Sequence, residues 1–170
     1  FGAIHRGDMS FLINDGKTRI DKINLDYLFQ DSEIASAAEK DGHKDDFSLS
    51  ADFLECLKSA ETVEEFFEVK GLGKISLRIL VKEGLPKRVA IIRNGMLITT
   101  DLQHFNDRFQ RCQGSKDFIA VVEPVEYEGQ ALFKRLENPK HYELLAERIS
   151  DKVKRDQAVK AMRQLVKLIR

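Results

Sequence analysis

The fold of this chain is decided by the stretch Ile75-Ser76-Leu77-Arg78-Ile79-Leu80-Val81-Lys82. Apolar residues at 75, 77, 79 and 81 alternate with polar residues at 76, 78 and 82. A period of two predicts a strand with one buried face. Residues 70–74, which include Gly71 and Gly73, predict a turn before this strand, and Gly84-Leu85-Pro86 interrupts it.

Three further strands are predicted after this one. Residues 89–92 form a continuous apolar strand, Arg93-Asn94-Gly95 forms a turn, and residues 96–99 form the next strand. Residues 117–123 have the pattern of a fully buried strand, which Pro124 ends because proline cannot donate to a strand ladder. A polar segment from Thr100 to Ser115, predicted as loop with a short helix, separates the last two strands.

The first sixty residues predict a hairpin followed by helices. Residues 9–13 and 18–20 flank the turn Asn14-Asp15-Gly16-Lys17, and Asp-Gly is a strong hairpin signal. Asn24 is placed to cap a helix, residues 33–40 form a second, and residues 41–46 form a loop. Ser50 is predicted to cap a third helix that ends near Ala60.

The last third of the chain has helical periodicity. Residues 130–136 predict a short helix, and Asn138-Pro139 predicts a new helix start, with Asn as N-cap and Pro in the first turn. The final segment is amphipathic. Its apolar stripe consists of Val159, Met162, Leu165, Val166 and Ile169, with Lys160, Arg163 and Lys167 opposite.

These patterns predict an α+β fold, a mixed sheet with helices packed on one face and a C-terminal amphipathic helix. We expect residues 1–150 to form one domain. Residues 151–170 are expected to pack on that domain or on a partner.

Composition is typical of a soluble globular protein, with 42% hydrophobic and 33% charged residues and no apolar run long enough for a membrane span. Cys56 and Cys112 are the only cysteines and form no CxxC pair, which favours a reducing, cytoplasmic environment. The chain begins at Phe1 without a signal peptide. We therefore expect a cytoplasmic fragment of a longer protein.

Charge is spread unevenly along the chain. Residues 31–70 hold twelve acidic and four basic residues, whereas residues 74–116 hold three acidic and nine basic, and residues 147–170 three acidic and eight basic. Such segments can mark a nucleic-acid partner. Complementary faces within the fold are favoured, because the basic segments lack interleaved aromatic residues for stacking on bases.

Motifs for catalysis are largely missing from the sequence. There is no GxxxxGK[ST] phosphate loop and no GxSxG elbow, and the four histidines lack metal-ligand spacing, so no metal site is expected. Two positions with basic side chains remain as candidate functional sites. Arg93 leaves an apolar strand at a tight turn, a position that also fits a surface salt bridge.

The second basic place is the predicted helix start at Asn138, flanked by Arg135 and Lys140. The free N–H groups and positive dipole end of a helix attract anions such as phosphate. Asn138 is therefore a candidate phosphate-binding residue, although simple helix capping is the favoured explanation of Asn138-Pro139 when these residues are taken alone.

The ordered pattern across residues 64–145 resembles the middle region of GHKL-type ATPases related to the ninety-kilodalton heat-shock chaperone. It comprises 77–81, the strand 85–93 ending in Arg93, the apolar strand 96–99, the buried segment 116–123, and Leu136-Glu137-Asn138-Pro139-Lys140-His141. The first sixty residues match only loosely. In that family the region is a transducer-type α+β domain that follows an ATP-binding domain.

The resemblance implies a coupling role. The domain would close over nucleotide held by the preceding domain and supply a cation to the γ-phosphate, with Arg135 or Lys140 as first candidates and Arg93 as third. The family's DxGxG loop is missing from this chain, so ATP and Mg would bind in the parent protein and no cofactor in this fragment. We expect no hydrolysis by the chain alone.

Several partners follow from the resemblance. They are the upstream ATP-binding domain, a client protein and a second copy in a homodimer, with no membrane partner. Two alternatives stay open. One is a nucleic-acid-associated GHKL protein of mismatch-repair or topoisomerase type, and the other is a structural dimerisation module that uses the C-terminal apolar stripe.

Overall fold

A computed structural model describes residues 2–12, 19–106, 109 and 116–170 of the chain. The helices are α1 (Gly2–Arg6), α2 (Leu25–Gln30), α3 (Ser32–Lys40), α4 (Lys44–Lys58), α5 (Tyr127–Leu136) and α6 (Lys152–Ile169). The strands are β1 (Phe11–Leu12), β2 (Arg19–Ile20), β3 (Val63–Val69), β4 (Gly73–Val81), β5 (Arg88–Arg93), β6 (Met96–Thr99) and β7 (Phe118–Pro124). Short 3₁₀ turns cover Gln103–Phe105 and Ala146–Arg148.

The five strands β3 to β7 form one mixed sheet in the order β3-β4-β7-β5-β6. β5 runs parallel to β7, and the other neighbouring strands are antiparallel. The alternating stretch 75–82 becomes β4, which pairs with β7 from Ile75 opposite Pro124 to Val81 opposite Phe118. The α+β class and the mixed sheet predicted from the sequence are confirmed.

Helices cover both faces of this sheet. On one face, Phe133 and Leu136 of α5 and Met162 and Leu165 of α6 pack with apolar residues of β4, β5 and β7 in the largest buried cluster. On the other face, Phe53 and Cys56 of α4 pack against a second cluster from the same strands. The sequence analysis predicts helices on one face only, and this part of the prediction is wrong. Helix α4 covers the second face because both faces of β5 and β7 are apolar and each needs a partner.

Helix α6 is part of the main core. Its residues Ala158, Ala161, Met162, Leu165 and Val166 are all buried within the chain. The apolar stripe therefore packs mainly against this chain's own sheet, with Val159 and Ile169 partly buried against the same core, and the dimerisation module stays a prediction.

Several local predictions change in the structure. Helix α4 begins at Lys44 rather than at Ser50, because Asp45 and Asp46 lie in its first turn, where they complement the positive end of the helix dipole. Strands β1 and β2 pair antiparallel as predicted. The turn at residues 14–17, Cys112 and most of the polar segment 107–115 lie outside the described residues.

The predicted turn after β5 is confirmed. Asn94 and Gly95 have φ of 51° and 74°, the left-handed values that a tight hairpin turn requires at both central residues. The turn aligns Arg93 opposite Met96. It therefore fixes the backbone from which the Arg93 side chain leaves the sheet.

Candidate functional site

Arg93 and Glu137 form a buried ion pair between β5 and the end of α5. Side chains alternate along a strand, so Arg93 lies on the same face as Val89 and Ile91, the face covered by α5 and α6. Nε and Nη2 of Arg93 donate to Oε2 of Glu137 at 3.0 and 2.6 Å. Only 13% of the Arg93 side chain and 2% of the Glu137 side chain are exposed. Arg93 therefore forms a buried salt bridge with Glu137 rather than the surface salt bridge that its position in the sequence allowed.

The other oxygen of Glu137 holds the loop that follows α5. Nδ1 of His141 lies 2.6 Å from Oε1 of Glu137, and the imidazole is largely exposed. Glu137 also pairs with Leu144 in an isolated antiparallel bridge, and Leu145 N donates to Leu136 O at 2.7 Å. Residues 138–143 therefore form a short loop closed at its base, which we name the 138–143 loop.

Asn138 braces this loop from inside. Its Oδ1 accepts from Tyr142 N at 3.0 Å, its Nδ2 donates to Glu143 Oε2 at 3.2 Å, and its backbone N donates to Glu143 O at 2.9 Å. Oε1 of Glu143 in turn lies 3.6 Å from Nε2 of His104. Both polar ends of Asn138 are therefore used within the chain.

The helix start predicted at Asn138-Pro139 is wrong. No helix begins there, and the next helix, α6, starts at Lys152 with Asp151 as its N-cap. His141 has φ of 59°, which is incompatible with a continuing right-handed helix. Asn138 thus lacks the helix dipole on which its candidacy for phosphate binding rested.

Arg135 and Lys140 remain available as cations. Both side chains are exposed, and within the described residues neither forms an ion pair. Arg135 lines a groove of about 380 Å³ between α5 and α6, whose lining also includes Leu132 and Lys154. Lys140 lies on the 138–143 loop. Of the four candidates, Arg93, Asn138 and Lys140 are brought to one corner of the fold, while Arg135 faces a separate groove.

Sequence reasoning missed Glu137, His141 and Glu143 as site residues. The signal was present, since Glu137 and His141 are four residues apart beside Asn138. The sequence interpretation assumed a helix that begins at Asn138. The contacts of Glu137, His141 and Glu143 depend instead on the bridge between Glu137 and Leu144.

The chemistry of this corner is electrostatic. The Glu137 carboxylate is shared between Arg93 and His141, and Glu143 is shared between Asn138 and His104. Across the part of the chain that the structure describes, no three His, Cys, Asp or Glu side chains are grouped to hold a metal ion. The arrangement can fix the position of a loop and of the cation on it.

Cys56 and Asp52 are among the titratable groups whose pKa is shifted away from this corner. Burial between α4 and the sheet raises the pKa of the Cys56 thiol to about 11, and Sγ contacts the carbonyl oxygens of Arg78 and Ile119. Burial also raises the pKa of Asp52, which the nearby Arg88 guanidinium partly offsets. A thiol that is kept protonated is a poor nucleophile, so Cys56 is a packing residue.

Comparison with protein-family models, with curated proteins and with solved structures gave no match to this chain. The resemblance to GHKL-type ATPases therefore stays a prediction. Each helix in the described residues is too short or too polar to cross a lipid bilayer.

Proposed function

We propose that this chain is a transducer-type domain of a larger chaperone-like GHKL ATPase and couples events at an ATP site in the preceding domain to conformational change or client binding. The chain would supply a cation to the γ-phosphate, and the ATP and Mg would be held by the preceding domain. Because the chain lacks the DxGxG loop, it would not hydrolyse ATP alone.

One observation carries the proposal: the 138–143 loop is closed at its base by hydrogen bonds and presents an exposed lysine. A buried ion pair contributes little net stability compared with an apolar pair of similar size. Its value here lies in geometry, since Arg93 and Asn138 hold the loop while the Lys140 ammonium extends into solvent. A loop that is already held in place leaves only the lysine side chain to be ordered when charge develops on a transferring phosphoryl group.

The roles of the candidate residues follow from their exposure. Arg93 is a positioning residue, because its guanidinium is already bound to Glu137. Lys140 is the first candidate for the phosphate contact, and Arg135 is the second. Asn138 positions the loop and does not bind phosphate in this proposal.

Site-directed variants of the full-length ATPase test the proposal. We expect Lys140→Ala to lower ATP turnover by about 10²- to 10³-fold with nucleotide affinity changed less than about threefold, because the contact forms mainly in the transition state. Lys134→Ala, which removes another exposed cation, from α5, is the control and should leave turnover unchanged.

Two results would count against the proposal. Wild-type turnover in both Lys140→Ala and Arg135→Ala would remove the cation mechanism. A loss confined to Arg135→Ala would move the contact to the groove between α5 and α6 and would leave the rigid loop without a catalytic purpose.

A second function, association with nucleic acid, is favoured by the solvent side of α6. Lys160, Arg163 and Lys167 are exposed there at successive turns, and within the described residues none forms an ion pair. If α6 contacts phosphates, DNA binding should weaken steeply with salt, by a slope of about 0.9 for each contact. Replacing all three by Gln should then lower that slope, whereas undetectable binding at low salt would dispose of this function.

A further inference from the structure

Helix α1 lies directly on the turn between β5 and β6. An added Cβ on Gly95 would overlap the backbone nitrogen of Ala3 and lie 2.9 Å from Ala3 Cα. A Cβ on Gly2 would similarly lie 3.0 Å from Gly95 Cα. Ile4 anchors the other side of α1, buried with Leu25 and Leu54. The backbones of α1 and the turn are therefore in direct contact, with the Arg6 side chain beside them, its Nη2 2.9 Å from an added Cβ on Gly95.

Glu123 at the end of β7 ties α1 and the turn together. Its Oε1 accepts from Gly95 N at 3.1 Å, and its Oε2 lies 3.4 Å from Nη1 of Arg6, on α1. The Arg78 guanidinium lies 3.9 Å from the same Oε2. The Glu123 side chain is only 12% exposed. A displacement of α1 would therefore disturb a nearly buried carboxylate as well as the turn.

The same turn sets the position of Arg93, two residues before Gly95. Arg93 holds Oε2 of Glu137, and Oε1 of Glu137 holds His141. The contacts are thus continuous from α1 through Gly95, Arg93 and Glu137 to the 138–143 loop. Each step is a backbone contact, a buried ion pair or a short hydrogen bond.

We infer that α1 is a mechanical input to the 138–143 loop: its seating on the β5–β6 turn fixes Arg93 and Glu137, and through them the position of Lys140. The functional consequence rests on the proposed function: a movement of the preceding domain that shifts α1 would change the position of the Lys140 ammonium. The contact series itself belongs to this chain and can be measured without an ATPase.

Hydrogen exchange in two glycine variants tests the coupling. Gly95→Ala inserts a methyl group into the contact with Ala3. Gly84→Ala is the matched control, because Gly84 has a similar φ of 85° but no atom within 4 Å of an added Cβ. Both variants carry the same kind of backbone strain, and only the first pushes on α1.

The readout is the exchange rate of amides that close the 138–143 loop. These are the N–H groups of Asn138, His141, Tyr142 and Leu145, each hydrogen-bonded within the loop or at its base. We expect Gly95→Ala to speed their exchange by about tenfold or more relative to the β4–β7 amides, and Gly84→Ala to leave this ratio within about threefold of wild type. An unchanged ratio in a folded Gly95→Ala variant, or equal changes in both variants, would overturn the inference.

A second comparison tests the route. In a background of Arg93→Met with Glu137→Leu, Gly95→Ala should no longer alter exchange in the loop, because effects transmitted through one contact are not additive. A full effect in that background would show that the route bypasses Arg93 and would overturn the inference. If Gly95→Ala does not fold, Arg6→Ala replaces it, with an expected rise in loop exchange of more than about threefold, outside the range allowed for Gly84→Ala. A ratio within that range would overturn the inference.

The outcomes separate this inference from the proposed function. The expected change in loop exchange together with wild-type ATP turnover in both Lys140→Ala and Arg135→Ala would retain the link from α1 to the loop and reject the cation role. The reverse result would retain the cation and reject α1 as its input.

Discussion

Arg93 and Glu137 contact each other across the end of the sheet, with two guanidinium nitrogens on a single carboxylate oxygen at 3.0 and 2.6 Å. Both side chains are withdrawn from water, so each charge depends on the other for its solvation. The free carboxylate oxygen is then available to His141. One ion pair thereby joins β5, the end of α5 and the 138–143 loop.

Breaking this ion pair should be costly, whereas replacing it should not. We expect Arg93→Ala to lower the free energy of unfolding by about 3–5 kcal/mol, because it leaves the Glu137 carboxylate buried without a counter-charge. The double variant Arg93→Met, Glu137→Leu should return to within about 1 kcal/mol of wild type. Urea unfolding of the three proteins measures both effects. A loss below about 1 kcal/mol in Arg93→Ala would show that water reaches the pair.

Removing α6 should abolish cooperative folding. A chain that ends at Ser150 loses a helix whose Met162 and Leu165 side chains are 0% and 1% exposed. Burial of each such side chain is worth about 1.5–3 kcal/mol, and α6 buries three of them, Met162, Leu165 and Val166, besides two alanines, against a typical total stability of about 5–15 kcal/mol. Near-ultraviolet circular dichroism and thermal unfolding check this. A sharp unfolding transition in the truncated chain would establish residues 1–150 as an independent domain.

His5 should make stability depend on pH below neutrality. Burial, together with the charges of Lys22, Lys58 and Arg6, lowers the pKa of His5, and Asp26 opposes the shift. The folded state therefore favours the neutral imidazole. This contribution to stability is complete above the unfolded pKa of about 6.5 and is lost as pH falls through the folded pKa.

Comparison with His5→Gln isolates that contribution. The free energy of unfolding of the wild-type chain should fall more steeply than that of the variant between about pH 7 and about pH 5. All other titrating groups are common to both proteins. Parallel pH profiles in urea titrations would show that α1 does not restrict protonation of His5.

Cys56 should resist thiol reagents until the chain unfolds. With its pKa raised to about 11, its thiolate fraction at about pH 8 is about 100-fold lower than that of an ordinary cysteine, and 0% of the residue is exposed. Labelling with a chromogenic disulfide in a Cys112→Ser background isolates the Cys56 thiol. In the native chain we expect Cys56 to be labelled no faster than α4 opens from the sheet. In urea we expect it to be labelled immediately. Rapid labelling of the native chain would contradict the packing of α4 on the sheet.

Local sequence patterns predicted the strands well and the helix boundaries less well. The alternation at 75–82 and the apolar runs at 89–92 and 117–123 each reflect a short-range rule, because side-chain direction alternates within a strand. The turn at Arg93-Asn94-Gly95 was equally accessible, since few residues adopt left-handed backbone angles. Asn138-Pro139 was misinterpreted because helix starts and tight loops use the same residues.

The candidate site could be predicted only in part. Arg93 was identified from its place at a tight turn, and Asn138 and Lys140 from a helix start that the structure does not contain. The residues that contact this corner, Glu137, His141 and Glu143, were not identified. Arg93 and Glu137 are 44 residues apart in the sequence, so no periodic pattern of residues indicates their ion pair. Arg135 was grouped with these residues by its closeness in sequence, although it faces the groove between α5 and α6.

The α+β class, four of the five strands of the sheet (β4 to β7) and an amphipathic last helix follow from the amino-acid sequence, because each depends on residues a few positions apart. The covering of both faces by helices, the burial of the α6 stripe in its own chain and the pairing of Arg93 with Glu137 emerge only from the folded chain. These outcomes depend on which distant surfaces meet, and many pairings satisfy the same local pattern. Packing and the cost of burying an unpaired charge select one of them.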